Sequence, residues 1–155
     1  MRIAADGTWF YCGSPIGRLP LVQLFASILR KDDERYVLVT PVEKVGIRVD
    51  DAPFLAVEMS ADDAGAEPEL TFRTSVEDQV KAGPDHPLRF ERAAAEGLKP
   101  YVRVRGGLWA LVKRSLYYDL VDRGVTEPHE GEEWFGVRSG GLFFPACPAS
   151  EIEGL

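Results

Sequence analysis

The stretch YVLVTPVEKVGIRVDDAPFLAVEM, residues 36–59, decides the fold class. Its runs 36–40, 45–49 and 54–59 are rich in β-branched and aromatic residues, and turn-forming residues separate them at Pro41 and at 50–53. Three short strands joined by tight turns are typical of an antiparallel sheet. The fold is therefore expected to be rich in strands.

The same pattern continues on both sides of this stretch. Further strands are predicted at 8–12, 70–74, 88–91, 101–105, 108–112, 134–138 and 142–144. Between them, apolar residues at helical spacing from Leu21 to Leu29 predict a helix with one buried stripe, which ends at Arg30 and Lys31. A second stripe, from Leu116 to Val121, predicts another helix.

Each predicted helix follows one hairpin and precedes another. This recurrence predicts an α+β fold of mostly antiparallel sheet, with two similar hairpin–helix–hairpin halves packed together and offset by roughly ninety residues. The loop at 81–87 contains two prolines and a glycine and marks the boundary, so we expect a β-rich N-terminal half at 1–82 and a C-terminal half at 83–155. Lys99 and Pro100 mark a further break.

Composition excludes several classes of protein. The chain has 155 residues, 45% of them hydrophobic, and a net charge of −7, which fits a globular protein and works against nucleic-acid binding. Because no apolar run reaches the roughly 20 residues of a membrane span and the N-terminus lacks the apolar core of a signal peptide, a cytoplasmic protein is expected. Two distant cysteines and two histidines provide no metal spacing, and no cofactor motif is present.

Two arginines are the strongest candidates for binding a ligand. Arg103 and Arg105 alternate with Val102 and Val104, so strict strand alternation places both guanidinium groups on one face. Two such groups suit a phosphate or carboxylate, which arginine can bind with two hydrogen bonds. The alternative is that both form ion pairs with Asp or Glu on neighbouring strands.

Asp85 and His86 lie in a loop stiffened by Pro84 and Pro87. A carboxylate beside an imidazole can act as an orienting pair in general-base catalysis. The structural alternative is that Asp85 caps the turn and His86 bonds to a backbone carbonyl.

The remaining candidates are weaker. Ser14 lacks the nucleophile-elbow spacing, so a turn serine is favoured, although its N–H and the nearby Arg18 suit an anion. Lys44 lies beside a glutamate at a predicted hairpin tip, which favours a solvated corner. Cys12 is interpreted as a small packing residue and Cys147 as an exposed thiol without a role.

Several motifs in order resemble a known family. They are GTW at 7–9, GSPI at 13–16, LVTPVEK at 38–44, DAPF at 51–54, GPDHPL at 83–88 and VRGGL at 104–108. Over essentially its whole length the chain resembles an uncharacterised proteobacterial family catalogued as domain of unknown function twelve-eighty-five. The resemblance implies a duplicated β-rich core, a second half superficially similar to pleckstrin-homology domains, a ligand site between the halves and a role in signalling. It also implies relatives that begin upstream of Met1.

The leading hypothesis is a non-enzymatic regulatory protein that binds an anionic small molecule or peptide between its halves. Its expected ligand-binding residues are Arg103, Arg105, His86, Asp85, Ser14, Arg18 and Lys44. One alternative is a hydrolase that uses Asp85, His86 or Ser14 at the same interface, which requires these side chains to converge. A second alternative is a protein-interaction module that uses an exposed sheet edge.

Overall fold

The computed structural model of the protein describes residues 1–93 and 97–153, which are mainly β-strands. In chain order the strands are β1 (Arg2–Ile3), β2 (Trp9–Tyr11), β3 (Ser14–Pro15), β4 (Leu29–Asp32), β5 (Arg35–Val39), β6 (Lys44–Val49), β7 (Phe54–Asp62), β8 (Glu69–Thr74), β9 (Gln79–Lys81), β10 (Leu88–Ala93), β11 (Gly97–Arg105), β12 (Leu108–Val112), β13 (Val125–His129), β14 (Glu132–Ser139) and β15 (Leu142–Pro148). The helices are α1 (Leu19–Ser27), α2 (Arg114–Asp122) and α3 (Ala149–Glu153). Within the described ranges, no helix has the length and apolar character needed to cross a membrane.

The strands of the described residues form three sheets. The first has the strand order β3-β2-β1-β6-β5-β4, the second β10-β11-β12-β7-β8-β9, and the third β13-β14-β15. In the first sheet β1 runs parallel to β6, and in the second β7 runs parallel to β12, while the other neighbouring strands are antiparallel. Both six-stranded sheets are therefore mixed.

The two six-stranded sheets share one topology. Read from the third strand of each, both have the order third, second, first, sixth, fifth, fourth. The helix α1 joins the third and fourth strands of the first sheet, whereas the segment 82–87 occupies that position in the second. The repeated unit of the structure is thus a six-stranded sheet.

The passage from the first sheet to the second lies at residues 50–53, between β6 and β7. The expected boundary between residues 82 and 83 falls instead between β9 and β10, inside the second sheet. Its prolines and glycine lie in the connection between the third and fourth strands of that sheet, which are at opposite edges. Such a connection needs turn residues just as a linker between domains does.

One hydrophobic core connects the sheets. It includes Trp9 of the first sheet, Phe54 and Phe72 of the second, Leu120 of α2 and Val137 of the third, all at most 2% exposed. Burial of such side chains is the main stabilising contribution to a fold of this size.

The third sheet is also held by a buried hydroxyl. Ser139, at the end of β14, is fully buried; its Oγ donates to the carbonyl of Ala82 at 2.7 Å and accepts from the N–H of Leu70 at 2.9 Å. One side chain therefore satisfies a backbone group of β8 and one of the residue that follows β9.

The first predicted helix is shorter and less buried than its periodicity indicates. It ends at Ser27, so Arg30 and Lys31 lie in strand β4 and not at a helix end. In α1 only Ala26 is fully buried, whereas Leu24 is 59% exposed. The β-strand pairing of β4 with β5 takes over the residues that a longer helix would have used.

Pro100 lies within β11, opposite Phe90 of β10, and not at a break. The described pairing of β11 with β12 begins only at Tyr101. The N–H that proline lacks is therefore not required by the neighbouring strand.

The positions of the two cysteines are the reverse of those expected. Cys12 and Gly13 form the two-residue turn between β2 and β3 with φ values of 50° and 81°, so Cys12 is exposed at a hairpin tip. Cys147 is buried in β15, opposite Phe135, and this burial raises the pKa of its thiol. A register shift in the pairing of β14 with β15 leaves Ala146 without an opposite residue, so Cys147, three residues after the buried Phe144, also faces inward.

Candidate functional site

A cavity of about 330 Å³ lies between the first and second sheets. It is enclosed by β4 and β5 of the first sheet, by the linker between β6 and β7, and by β10, β11 and β12. The residues that line it are Lys31, Tyr36, Asp51, Ala52, Arg89, Glu91, Tyr101, Gly107 and Trp109. We call it the junction cavity; its volume is within the range of small-molecule pockets, and its walls are polar and aromatic.

Arg89 is the central cation of the junction cavity. Its guanidinium carbon lies 4.8 Å from the ring centroid of Tyr101 and 4.5 Å from that of Trp109. Among the described residues its ion-pair partner is Glu91, at 3.4 Å and on the exposed side. Contact with two aromatic rings restricts the guanidinium, because each ring face attracts a cation. Its in-plane N–H groups can still donate to a ligand.

Asp51, in the linker, joins the cavity wall to the second sheet. Its Oδ1 accepts a hydrogen bond from the Tyr101 hydroxyl at 2.7 Å, and its Oδ2 forms an ion pair with Lys99. Burial, together with this hydrogen bond, raises the pKa of Tyr101 to about 12, and the hydrogen bond to Asp51 raises the pKa of Lys99. At neutral pH the phenol is therefore protonated and donates to a carboxylate.

The neighbouring Asp50 faces the other sheet. It accepts from Arg2 Nε at 3.1 Å and lies 3.4 Å from Arg48 Nε, both in the first sheet. Two adjacent carboxylates of one linker thus bond to opposite sheets, and only Asp51 of the two lines the junction cavity.

The first sheet contributes a second cation. The ammonium of Lys31, on β4, lies 5.3 Å from the ring centroid of Tyr36 on β5. Its aliphatic chain packs so closely against Gly107 that a Cβ there would lie 3.3 Å from Lys31 Cδ. Burial raises the pKa of the Tyr36 phenol, which keeps that ring neutral at physiological pH.

The two predicted arginines do not act as a pair. A β-bulge places Arg103 opposite Trp109 but Arg105 opposite Leu108, so the strict alternation that would keep both on one face is broken. Arg103 Nε donates to the carbonyl of Gly106 at 2.8 Å, and Arg105 donates to the carbonyls of Ala26 at 2.7 Å and of Leu29 at 3.3 Å. Neither forms the ion pair with Asp or Glu that was the alternative, as far as the described residues show.

For His86 the structural interpretation is confirmed. Its Nδ1 lies 2.9 Å from the carbonyl oxygen of Arg103, and because a carbonyl only accepts, this nitrogen carries the proton. Asp85 and His86 line a separate hollow of about 570 Å³ beside β9 and Gly140.

The other predicted residues lie in the first sheet or at its edges. Ser14 is exposed on the edge strand β3 and does not line the hollow beside His86, so the convergence required by the hydrolase alternative is absent from the described residues. Arg18 is the exposed residue that precedes α1. Lys44 Nζ lies 2.6 Å from Asp32 Oδ2 on the exposed surface, where their hydrogen bond lowers the pKa of Asp32.

Sequence reasoning missed the residues that line the junction cavity. The signal available for Arg89 was its alternation with the apolar Leu88 and Phe90, which puts it on the outer face of a strand. Its contact with Tyr101 and Trp109 requires the register of three strands, which no local pattern reveals. Within residues 1–93 and 97–153, no group of three or more His, Cys, Asp or Glu side chains is arranged to hold a metal ion.

Comparisons with known proteins place the chain in one family. The family model "Domain of unknown function (DUF1285), N-terminal domain" matches residues 1–52, and "Protein of unknown function (DUF1285), C-terminal domain" matches residues 53–146. These ranges divide the chain at the linker between the first and second sheets. No curated protein matches.

Two crystal structures of DUF1285 family proteins are similar to this chain in sequence and fold. A DUF1285 family protein from Silicibacter pomeroyi DSS-3 is 51% identical, with 99% of this chain and 82% of that chain covered and a TM-score of 0.89. One from Shewanella baltica OS155 is 32% identical, with 78% and 89% covered and a TM-score of 0.61. Since both domain models match in order and this identity extends along nearly the whole sequence, the chain belongs to the DUF1285 family.

Proposed function

We propose that this protein is a non-enzymatic regulatory protein that binds an anionic small molecule or the acidic end of a peptide in the junction cavity. The observation that carries the proposal is the guanidinium of Arg89, held over Tyr101 and Trp109 between the two sheets. The ligand is an anion, as the sequence predicts, but the cations that bind it are Arg89 and Lys31 and not Arg103 and Arg105.

The contacts of Arg89 suit reversible binding. Two rings already hold the Arg89 guanidinium in place, so binding a ligand costs little side-chain entropy of Arg89. A carboxylate or phosphate can accept two hydrogen bonds from the guanidinium plane and replace the exposed contact with Glu91.

Lys31 gives the binding a structural consequence. It belongs to the first sheet, whereas Arg89 belongs to the second, and both line the same cavity. An anion that contacts both cations stabilises one arrangement of the two sheets, which is the way a ligand biases the conformation of a regulatory protein.

Thermal-shift screening followed by isothermal titration calorimetry tests this function, with inorganic phosphate, pyrophosphate, citrate and adenosine 5′-monophosphate as probes. We expect at least one probe to bind. Arg89→Met should weaken the binding of that probe by about 10- to 100-fold, because a charge-assisted hydrogen bond is lost. Lys31→Met should weaken binding less, because Lys31 contacts one aromatic ring, at 5.3 Å, whereas Arg89 is held by two, at 4.8 and 4.5 Å.

The matched control is Arg2→Met. Arg2 also combines a ring contact, 4.7 Å from Phe10, with an ion pair, but it does not line the junction cavity. Its replacement should leave probe binding unchanged. If no probe binds, or if Arg89→Met and Arg2→Met have equal effects, the proposed function is wrong.

A further inference from the structure

A second cavity, of about 540 Å³, lies between α1 and the first sheet. Apart from Thr40 and Glu43, every described residue that lines it is apolar or aromatic, including Leu21 and Phe25 of α1 and Val45 of β6. We call it the α1 cavity. It shares no described lining residue with the junction cavity.

The α1 cavity leaves apolar side chains in contact with water. Tyr11 is 60% exposed, Val45 45% and Leu21 38%. The neighbouring helix ends at Ser27, and Ala26 is its one buried residue. Removing such surface from water is favourable, so the cavity favours an apolar occupant of small-molecule size.

Glu43 is the one charged side chain among the described residues that line the cavity, and Met1, which carries the chain's α-amino group, also lines it. The backbone of Glu43 is fixed, because its N–H donates to Thr40 Oγ1 at 3.1 Å, and its carbonyl accepts from Thr40 N at 2.9 Å and Thr40 Oγ1 at 3.2 Å. Its carboxylate forms no hydrogen bond or ion pair with any described residue, and the adjacent Lys44 is engaged by Asp32.

We propose that the α1 cavity binds a small apolar molecule with a single ammonium group. The apolar body lies against Leu21, Phe25 and Val45, and the ammonium donates to the carboxylate of Glu43. A carboxylate head group at that position is disfavoured, because it would lie beside a like charge. The preference is opposite in sign to that of the junction cavity, so the two sites take different ligands.

Three probes that share an eight-carbon chain and differ in head group separate the apolar contribution to binding from that of the charge. They are n-octylammonium, 1-octanol and octanoate, each titrated below its micelle concentration and followed by methyl NMR shifts and calorimetry. We expect octylammonium to bind about three- to tenfold more tightly than octanol, which is the contribution of a partly exposed ion pair to binding. Octanoate should bind most weakly. The shifted methyl groups should be those of Leu21 and Val45.

Two variants test the assignment of each part. Glu43→Gln should abolish the preference for octylammonium and leave octanol unchanged, whereas Glu34→Gln, on another exposed turn, should change neither. Val45→Phe should weaken all three probes by filling the cavity, and its urea midpoint reports that the fold is retained. Arg89→Met should leave all three unaffected, which separates this proposal from the proposed function.

The proposal is overturned if none of the probes binds or if octanoate binds as tightly as octylammonium. It is also overturned if the preference survives in Glu43→Gln, or if the shifted methyl groups lie outside the α1 cavity.

Discussion

Ser139→Ala should destabilise the protein by about 2–4 kcal/mol. The hydroxyl is fully buried and satisfies both the carbonyl of Ala82 and the N–H of Leu70, at 2.7 and 2.9 Å. Its removal leaves two buried backbone groups without partners, each of which costs about 1–3 kcal/mol. Because the total stability of such a domain is roughly 5–15 kcal/mol, the variant should still fold.

Urea unfolding monitored by tryptophan fluorescence measures this loss. With a denaturant dependence of roughly 2 kcal/mol per molar, the midpoint should fall by about 1–2 M. Amide hydrogen exchange at Leu70 should accelerate as well, since its N–H loses its acceptor.

Ser27→Ala is the matched control. That hydroxyl also donates to a carbonyl, of Leu24 at 2.6 Å, but it lies on the exposed side of α1. Its loss should change stability by no more than about 0.5 kcal/mol, because water can replace the hydrogen bond. If Ser139→Ala costs less than about 1 kcal/mol, or no more than Ser27→Ala, the burial argument is refuted.

Three further predictions follow from contacts between and within the sheets. Tyr101 should titrate near pH 12 by phenolate absorbance, and Asp51→Asn should lower its pKa but keep it above the ordinary value of about 10, because burial is the larger cause. Since the raised pKa means that the folded state holds the proton more tightly, the stability it contributes is present below about pH 10 and is lost as the pH rises to about 12. Arg105→Met should destabilise the protein by about 1–2 kcal/mol in urea unfolding and accelerate hydrogen exchange in α1, because two carbonyls near its C-terminal end lose their donor. A thiol reagent should label Cys12 in the folded protein but Cys147 only after unfolding, as mass spectrometry of the labelled peptides would show.

Each of these has a clear contrary result. Arg103→Met is the control for Arg105→Met, because the Arg103 side chain donates to Gly106, only three residues away, and its loss should cost less stability. Equal losses would contradict a stabilising role for the hydrogen bonds of Arg105 to Ala26 and Leu29. An unchanged Tyr101 titration in Asp51→Asn would contradict the hydrogen bond as a cause. Simultaneous labelling of both thiols at one rate would contradict the burial of Cys147.

Most strands were predictable from local pattern. In residues 36–59 the β-branched runs and the turns between them carry the information themselves, and β5, β6 and β7 begin and end close to where the pattern indicates. The strand β1 was not predictable, because Arg2–Ile3 is too short to show a period, and its parallel pairing with β6 joins residues more than forty apart. The length of α1 was overestimated because Ile28 and Leu29 continue the helical spacing while Leu29 pairs in a strand.

A ligand site between two similar halves was predicted from the repetition and from the family resemblance, and it stays a prediction. The predicted halves meet between residues 82 and 83, whereas the junction cavity lies between the two six-stranded sheets, which are joined at residues 50–53. The separation of the two arginines was not predictable, because Arg103 and Arg105 alternate with valines in the sequence while the bulge in β11 separates their side chains. Backbone carbonyls of distant segments, such as Ala26 for Arg105, leave no trace in a side-chain pattern.

The shared strand order of the two six-stranded sheets has a consequence for biosynthesis. In each sheet the strand made first lies beside the strand made last, at the centre and not at an edge. A nascent chain therefore cannot complete the first sheet until Lys44–Val49 has left the ribosome, nor the second until Leu108–Val112 has done so. A chain that stops just short of either strand would expose a sheet split at its middle, with two unpaired edges prone to aggregation.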